Sequence, residues 1–292
     1  MTRELRSHGR YAYSAIVGRP DYSWPGGKRL AVYIGFNVEH FDFGEGLGAT
    51  LAPGGPQPDV LNFSWRDYGN RVGVWRCLEL FDALRVPVGA LINTALYDYC
   101  PEVIQAFVAR GDELIGHGHT NSERQGTMPE AQERALVEYC RDRIERESGR
   151  RPRGWLSPWI SESLLTPDLL AEAGYGYTLN WCHDDQPARF STRAGRLWSI
   201  PYPQELNDVP MIVARQMDGR SFADMIVDNF DEMLVQSREQ PLVMGIALHP
   251  YLVGQPYRLS HLRRALEHIA AAAPVWFTTP GAIHAHVETL AA

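Results

Sequence analysis

The sequence lacks the charge pattern of a nucleic-acid-binding protein and the long apolar runs of a membrane protein. Its 28 Lys and Arg residues stand against 35 Asp and Glu residues, the net charge is −7, and the basic residues form no block. No segment approaches the roughly 18 apolar residues of a membrane-spanning helix, and residues 1–13 are polar. These absences predict no nucleic-acid partner, no membrane contact and a cytoplasmic location.

Cysteine is scarce, and the sequence contains no Cys-x-x-Cys pair. The four cysteines lie far apart, and three of them fall in segments predicted to be helical. Buried free thiols are therefore a better interpretation than a metal-binding or redox-active pair.

What the sequence does contain is an alternation of short apolar segments with longer amphipathic ones. At 292 residues and 45% hydrophobic content, the chain is long enough to bury a substantial core. The predicted strands cover residues 30–36, 88–92, 113–115, 154–156, 177–179, 242–248 and 275–278, with a possible edge strand at 197–201. The predicted helices cover residues 72–84, 101–110, 129–147, 166–173, 222–238, 259–272 and 280–290. About seven strands, each followed by a helix, predict parallel pairing in a distorted β/α barrel.

No shift in composition marks a domain boundary. We predict a single catalytic domain over residues 21–292, preceded by an extension over residues 1–20. The connection between residues 37 and 71 holds the Pro/Gly-rich stretch 52–58 and is far longer than an ordinary β-to-α connection. We expect this connection to form a lid or an oligomer contact.

Residues 116–123, Gly-His-Gly-His-Thr-Asn-Ser-Glu, place two histidines and an amide directly after the predicted strand 113–115. A Gly-rich turn after a strand exposes such side chains while the strand positions them. Other predicted strands also end in residues with functional groups. The residues at these ends are Asn37, Glu39 and His40; Asn93; His117, His119 and Asn121; Ser157 and Trp159; Asn180, His183, Asp184 and Asp185; and His249.

The clustering of these residues matters more than any one of them. A single histidine is more often a structural hydrogen-bonding group than a catalyst. Active sites of β/α barrels, however, are built from the loops at the carboxyl ends of the strands. Functional groups at several strand ends therefore predict one shared site.

The chemistry of that site is narrowed by motifs that the sequence lacks. A Gly-rich phosphate loop, a nucleophile elbow and a Ser or Cys with an obvious neighbouring base are all missing, which argues against phosphoryl transfer and covalent acyl transfer. Water is then the expected nucleophile. Hydrolysis by water needs a base or a metal, donors for the oxyanion and an acid for the leaving group. Glu39, His117 and His249 are the residues predicted to divide these tasks.

Several short motifs follow one another along the chain. They are Asn37-Val38-Glu39, Ile115-Gly116-His117-Gly118, Gly154-Trp155, Asp184-Asp185, Ile200-Pro201-Tyr202, Glu205-Leu206-Asn207-Asp208, Leu248-His249-Pro250 and Gly254-Gln255-Pro256. In this order they resemble the polysaccharide deacetylase (NodB-like) superfamily, and most closely its branch of allantoinases and cyclic imide hydrolases. The resemblance spans about residues 20–290. It implies a distorted, incomplete (β/α)7 barrel and an amidohydrolase.

The resemblance also shows a departure at the metal site. In sugar deacetylases of the superfamily, an Asp-x-Asp-like pair supplies the base and one metal ligand, and a His-x-x-x-His motif supplies two more ligands. By position, Asn37 replaces the base, while Glu39 and His117 match two ligands of one zinc-like divalent ion. Asn121 replaces the second histidine, and an amide oxygen is a weaker ligand than imidazole for such an ion.

Two alternatives follow from this departure. Either His119 swings in as a third ligand, or the protein works without a metal ion. In the second case Glu39 becomes the candidate general base, provided that its surroundings raise its pKa toward neutrality.

The resemblance further implies that His249 protonates the leaving nitrogen or stabilises the tetrahedral intermediate, although it could instead cap the following turn. For Arg71 a surface salt bridge is nearly as good an interpretation as substrate binding, and for each tryptophan core packing is the alternative. The predicted substrate-binding residues are Asn37, Arg71, His119, Asn121, Trp155, Trp159, Asp184, Asp185 and Asn207.

We therefore expect a hydrolase of carbon–nitrogen bonds that acts on a small cyclic amide, imide or ureide. The alternatives are a metal-dependent deacetylase of an N-acetylated sugar and a catalytically inactive relative that binds a ligand. The expected partners are a small-molecule substrate and further copies of the chain in a homo-oligomer, a dimer or a tetramer.

Overall fold

The computed structural model describes residues 5–44 and 56–291. The predicted lid or oligomer contact falls partly on residues 45–55, which lie outside the described residues. Among the described helices, none combines the length and the apolar character that crossing a membrane requires.

The described residues form one curved sheet of nine strands. In chain order the strands are β1 (Leu30–Val38), β2 (Gly89–Ile92), β3 (Glu113–Gly116), β4 (Gly154–Trp155), β5 (Tyr177–Thr178), β6 (Ala188–Thr192), β7 (Gly195–Ser199), β8 (Leu242–Leu248) and β9 (Val275–Thr278). Their order across the sheet is β6-β7-β5-β4-β3-β2-β1-β8, and β9 pairs with the first half of β1. The named strands pair in parallel except β6 with β7. The predicted fold class, a distorted and incomplete β/α barrel, is confirmed.

Helices cover the outer face of the sheet. In chain order they are α1 (Val60–Tyr68), α2 (Val74–Leu84), α3 (Leu96–Tyr99), α4 (Pro101–Arg110), α5 (Glu130–Ser148), α6 (Thr166–Glu172), α7 (Gly219–Gln236), α8 (Pro250–Val253), α9 (Pro256–Ala270) and α10 (Pro280–Ala291). Their ends follow local chemistry: α4 begins with Pro101 and ends at Gly111, whose φ of 79° is the left-handed conformation that glycine adopts freely. The sequence analysis did not predict α1, α3 or α8.

The seven predicted strands are all present, and the structure adds β6 and β7, because β5 is followed by a hairpin and not by a helix. In β6 only Phe190 is buried, so this edge strand carries almost no apolar signal along the sequence. Its partner β7 matches the predicted edge strand 197–201 only in part. The hairpin interrupts the β/α alternation at one side of the barrel.

The barrel stays open on that side, between the edge strands β6 and β8. Residues 200–207 run beside the gap and make scattered hydrogen bonds to β5, β1 and β8. The hydroxyl of Tyr33 donates to the carbonyl of Pro201, and the amide of Ala247 donates to the carbonyl of Leu206 at 2.9 Å. An irregular segment thus takes the place of a further strand.

Side-chain alternation along β1 explains how the interior is built. Leu30, Val32, Ile34, Phe36 and Val38 pack outward against the helices, whereas Ala31 and Tyr33 belong to the inner cluster. Because successive strand residues point to opposite faces, Gly35, Asn37 and Glu39 continue the inward series. Large side chains fill the barrel below these residues, and they include Trp24, Tyr33 and Tyr177. The two inward polar residues therefore lie above a closed apolar floor.

The turn after β8 is held by a close approach of two glycines. Gly73 ends a π-helical turn, Gly69–Gly73, that precedes α2. A Cβ added at Gly73 would lie 2.1 Å from the carbonyl oxygen of Pro250, and one added at Gly254 would lie 2.4 Å from the Cα of Gly73. Backbone contact at this distance leaves no room for a side chain.

We expect Gly73→Ala to lower the free energy of unfolding by about 1–3 kcal/mol, because the turn after β8 must shift to accept the methyl group. Gly18→Ala is the matched control, since a Cβ there has nothing within 4 Å, and its effect should stay within about 0.5 kcal/mol. Urea denaturation followed by circular dichroism measures both. Equal stability of the two variants would show that the close approach is not a constraint.

Candidate active site

A cavity of about 240 Å³ opens at the carboxyl ends of the strands, and we call it the catalytic cavity. The predicted residues that line it are Asn37, Glu39, His117, Asn121, Trp159, Asn207 and His249. Side chains from the end of β1, from the turn after β3 and from the turn after β8 therefore meet, because the carboxyl ends of parallel strands lie at the same end of the barrel.

The centre of the cavity is one oxygen atom, Oε1 of Glu39. It accepts a hydrogen bond from Nδ2 of Asn121 at 2.5 Å. Nε2 of His117 lies 3.4 Å away and Nε2 of His249 lies 3.5 Å away. Glu39 is only 7% exposed, so these nitrogens replace most of the water that a carboxylate would otherwise have.

His249 is clamped by Asp208, a fully buried carboxylate. Asp208 accepts the backbone N–H of His249 at 2.8 Å and faces Nδ1 of its ring at 2.6 Å. Because a carboxylate only accepts, Nδ1 carries a proton and Nε2 is the atom presented to Glu39. The pair fixes both the tautomer and the direction of the imidazole.

The ring of His117 is fixed by a backbone carbonyl. Its Nδ1 lies 2.7 Å from the carbonyl oxygen of Leu156, which can only accept. Nδ1 of His117 is therefore protonated, and in the neutral ring Nε2 carries the lone pair. Nε2 is the ring atom that faces Glu39 and the catalytic cavity.

The orientation of the Asn121 amide follows from its neighbour Asn93. Oδ1 of Asn93 accepts the backbone N–H of His40 at 2.7 Å, so its Nδ2 is the end that donates to the carbonyl of His117 and, at 3.0 Å, to Oδ1 of Asn121. Asn121 then has only its NH2 group to present to Glu39. The backbone N–H of His40 and the backbone carbonyl of His117 thus determine, through Asn93, which end of the Asn121 amide faces the cavity.

This orientation tests whether a zinc-like ion fits the site. Structural and catalytic zinc sites use at least three N, S or O donors from the protein. Glu39 and His117 present two donors, but Asn121 presents an N–H group and His249 a protonated ring. Within residues 5–44 and 56–291, no group of three His, Cys, Asp or Glu side chains is arranged to hold a metal ion. The residues present do not fit the ion that the resemblance implies.

The electrostatics of the site centre on His249. Burial alone lowers the pKa of His249, but Asp208 and Glu39 on either side raise this pKa to about 10. Burial alone raises the pKa of Glu39, but the charge of His249 and the His117 hydrogen bond lower this pKa to about 2. At neutral pH His249 is a cation and Glu39 an anion. The condition under which Glu39 was predicted to be the general base, a pKa raised toward neutrality, is not met.

Two predicted substrate contacts lie on other surfaces of the protein. The side chain of Arg71 is 71% exposed and lies 4.0 Å from Asp67. His119 turns away from the cavity and pairs with Thr94 at 3.0 Å. Neither residue lines the catalytic cavity, so the structure does not bring Arg71 or His119 together with Glu39 and His117.

Trp155, Asp184 and Asp185 also lie outside the catalytic cavity. Trp155 is fully buried in a core cluster on the outer face of β4, because parity sends its neighbour Leu156 inward and Trp155 outward. Asp184 forms a bidentate ion pair with Arg19, both distances being 2.7 Å. Asp185 lies at the gap beside β8, where its carbonyl accepts the amide of Val243. The structure therefore does not bring these three predicted residues together with Glu39 and His117.

Sequence reasoning missed several residues of the site, and the most important of them are Asp208 and Tyr251. Asp208 was part of a quoted motif, but only its neighbour Asn207 was chosen. Tyr251 lines the cavity, and burial together with the Glu39 carboxylate raises its pKa well above the usual value, so the phenol stays protonated. The signal for Asp208 was its place at the end of the quoted motif Glu205-Leu206-Asn207-Asp208, directly before the apolar run 209–214. No sequence signal separated Tyr251 from a core tyrosine.

The chain is similar to several known proteins. No family model matches the chain. A putative polysaccharide deacetylase of Schizosaccharomyces pombe is 27% identical over an alignment of 300 residues, which covers 95% of this chain and 90% of that protein. A peptidoglycan deacetylase of Helicobacter pylori is 23% identical over 235 residues, covering 69% of this chain and 79% of that protein.

Two solved structures share the fold over nearly the whole chain. A probable polysaccharide deacetylase from Pseudomonas aeruginosa superposes with a TM-score of 0.84 at 28% identity, covering 94% of this chain and 98% of that one. An allantoinase superposes with a TM-score of 0.84 at 28% identity, covering 96% and 98%. Together with the motifs and the barrel, these likenesses confirm the resemblance. Over nearly its whole length the chain is similar to proteins of the polysaccharide deacetylase (NodB-like) superfamily, and this similarity supports a hydrolase of carbon–nitrogen bonds.

Proposed function

We propose that the chain hydrolyses a small cyclic amide, imide or ureide by attack of water, without a metal ion. The observation that carries this proposal is the Asn121 amide, which presents N–H where the resemblance places a second metal-binding histidine. The likeness to an allantoinase at 28% identity supports it.

The size of the catalytic cavity favours a small substrate. Its volume of about 240 Å³ lies below the range of about 300–1,000 Å³ that is usual for drug-sized ligands. Amide side chains, among them Asn37, Gln204 and Asn207, line it together with aromatic rings. Such a lining suits a molecule that carries several N–H and C=O groups.

The charges supply the steps of hydrolysis. A water molecule that donates its hydrogens toward Oε1 of Glu39 and Nε2 of His117 has its oxygen free to attack the carbonyl carbon. Nε2 of His117 takes the proton of this water, since the low pKa of Glu39 makes its carboxylate a weak base. His249 then stabilises the oxyanion and donates its Nε2 proton to the leaving nitrogen.

A second candidate is a deacetylase of an N-acetylated sugar, which the name of the 27% identical S. pombe relative favours. A panel of hydantoin, succinimide, allantoin and N-acetyl chitooligosaccharides separates the two. Turnover of the cyclic compounds alone supports our proposal, and turnover of the oligosaccharides alone supports the deacetylase.

We expect Glu39→Gln to lower kcat/KM on the cyclic substrate by about 10²–10⁴-fold, because the variant loses the anion that orients the water and holds His249 charged. Glu113→Gln is the matched control, since Glu113 is a carboxylate that bonds Tyr177 and Gly281 away from the cavity. Its turnover should stay near the wild-type value. Survival of turnover in Glu39→Gln would refute the role of Glu39.

We expect Asp208→Asn to move the alkaline limb of the pH profile of kcat/KM to lower pH by about 1–3 units. Asp208 raises the pKa of His249, so its loss makes the acid lose its proton at lower pH. The same charge stabilises the fold below about pH 6.5, and this contribution is lost as pH rises toward 10. Asp112→Asn, another buried carboxylate, should leave the limb in place. An unmoved limb in Asp208→Asn would show that His249 is not the acid.

We expect wild-type protein to bind Zn²⁺ weakly and to keep its turnover after chelation. Asn121→His restores the missing imidazole and should raise the affinity for Zn²⁺ by about tenfold or more, measured by competition with a fluorescent chelator. His119→Ala should leave that affinity unchanged, because His119 lies outside the cavity. Stoichiometric zinc in the purified protein, with turnover lost on chelation, would favour the deacetylase.

A further inference from the structure

Trp159 occupies an unusual position at the rim of the catalytic cavity. It lines the cavity and is 38% exposed. Single exposed apolar side chains are common on protein surfaces and need no explanation, as Trp75 at 37% exposure illustrates. The Trp159 ring is instead kept at the mouth of the site that holds Glu39 and His249.

The backbone under this ring is strained. Trp159 has φ of 66° and Ile160 has φ of 55°. Both are left-handed conformations that cost free energy for residues other than glycine, and especially for a β-branched residue. Among the described residues only Arg85 and Gln216 share this feature without being glycine, and neither lines the cavity. Two consecutive strained residues at the site show that the surroundings force this conformation.

Hydrogen bonding and charge hold the ring in one orientation. Nε1 of Trp159 donates to the backbone carbonyl of Asn121 at 3.0 Å. The guanidinium of Arg124 lies over the ring, 5.5 Å from its centroid. Asn121 also bonds Glu39 through its side chain. One residue therefore ties the position of the indole to the position of the central carboxylate.

We propose that Trp159 is a specificity-determining residue whose indole face, on the side not covered by Arg124, stacks on the planar ring of the substrate. This inference rests on the proposed function, because it takes the substrate to be a planar cyclic amide, imide or ureide. Stacking of a flat ring on the indole directs the edge of that ring, which carries the scissile bond, toward Glu39 and His249. The strain at Trp159 and Ile160 preorganises this surface before the substrate arrives.

The test compares four variants on hydantoin. Trp159→Leu removes the flat ring and should raise KM by about 3- to 10-fold with a smaller change in kcat, whereas Trp159→Phe keeps a flat ring and should stay within about 3-fold of wild type. Trp159→Gly relieves the strain, so it should unfold at a higher urea concentration than Trp159→Leu while its KM is just as high. Trp75→Leu is the matched control, because Trp75 is 37% exposed on α2.

A binding measurement separates this inference from the proposed reaction. Hydantoin titrated into Glu39→Gln should quench tryptophan fluorescence, and the added change Trp159→Leu, but not Trp75→Leu, should remove the quenching. If wild type hydrolyses hydantoin and Trp159→Leu has an unchanged KM, the stacking role is refuted while the proposed function stands. If Glu39→Gln binds hydantoin with quenching that depends on Trp159 but wild type does not hydrolyse it, the stacking role stands and the proposed reaction fails.

Discussion

The site depends on a buried chain of alternating charge, Asp208, His249 and Glu39. Each member would be costly to bury alone, and each is stabilised by its neighbours. The histidine becomes a cation because two carboxylates face it, and Glu39 becomes an anion because that cation faces it. The barrel provides the rigid spacing, with β1 and β8 paired along their length. This mutual stabilisation leaves an acid, His249, and an anion, Glu39, side by side at neutral pH. The proposed hydrolysis therefore does not require the pKa of Glu39 to lie near 7.

The sequence predicted what local periodicity encodes. The apolar strands and amphipathic helices gave the fold class, and strand ends gave Glu39, His117 and His249. The alternation of side chains along β4 sends Leu156 to the inner face of the sheet and Trp155 to the outer face. The position of Trp155 outside the cavity could therefore have been predicted from the sequence. The hairpin of β6 and β7 was not, since β6 buries only Phe190. That hairpin takes Asp184 and Asp185 away from the site.

Other features depend on contacts between distant residues, and no pattern along the chain reports them. The direction of the Glu39 pKa shift needs His249, which lies 210 residues further along the chain. The orientation of Asn121 needs Asn93 and, through it, the backbone of His40. Aligned with the motif of the superfamily, Asn121 stands where a histidine is expected. Only the network around that asparagine shows that it offers a donor to the site where the histidine would have offered an acceptor.

The open side of the barrel has a consequence for how such a site diverges. In a closed barrel the residues beside the gap would form a strand, and pleating would send every second side chain outward. Residues 200–207 are irregular, and from this short connection Tyr202, Gln204 and Asn207 all reach the catalytic cavity, with Asp208 directly after them. A loop of this kind tolerates changes in length and sequence far better than a strand does. The incomplete barrel therefore separates an adaptable wall for the substrate from a rigid wall that carries Glu39 and His117.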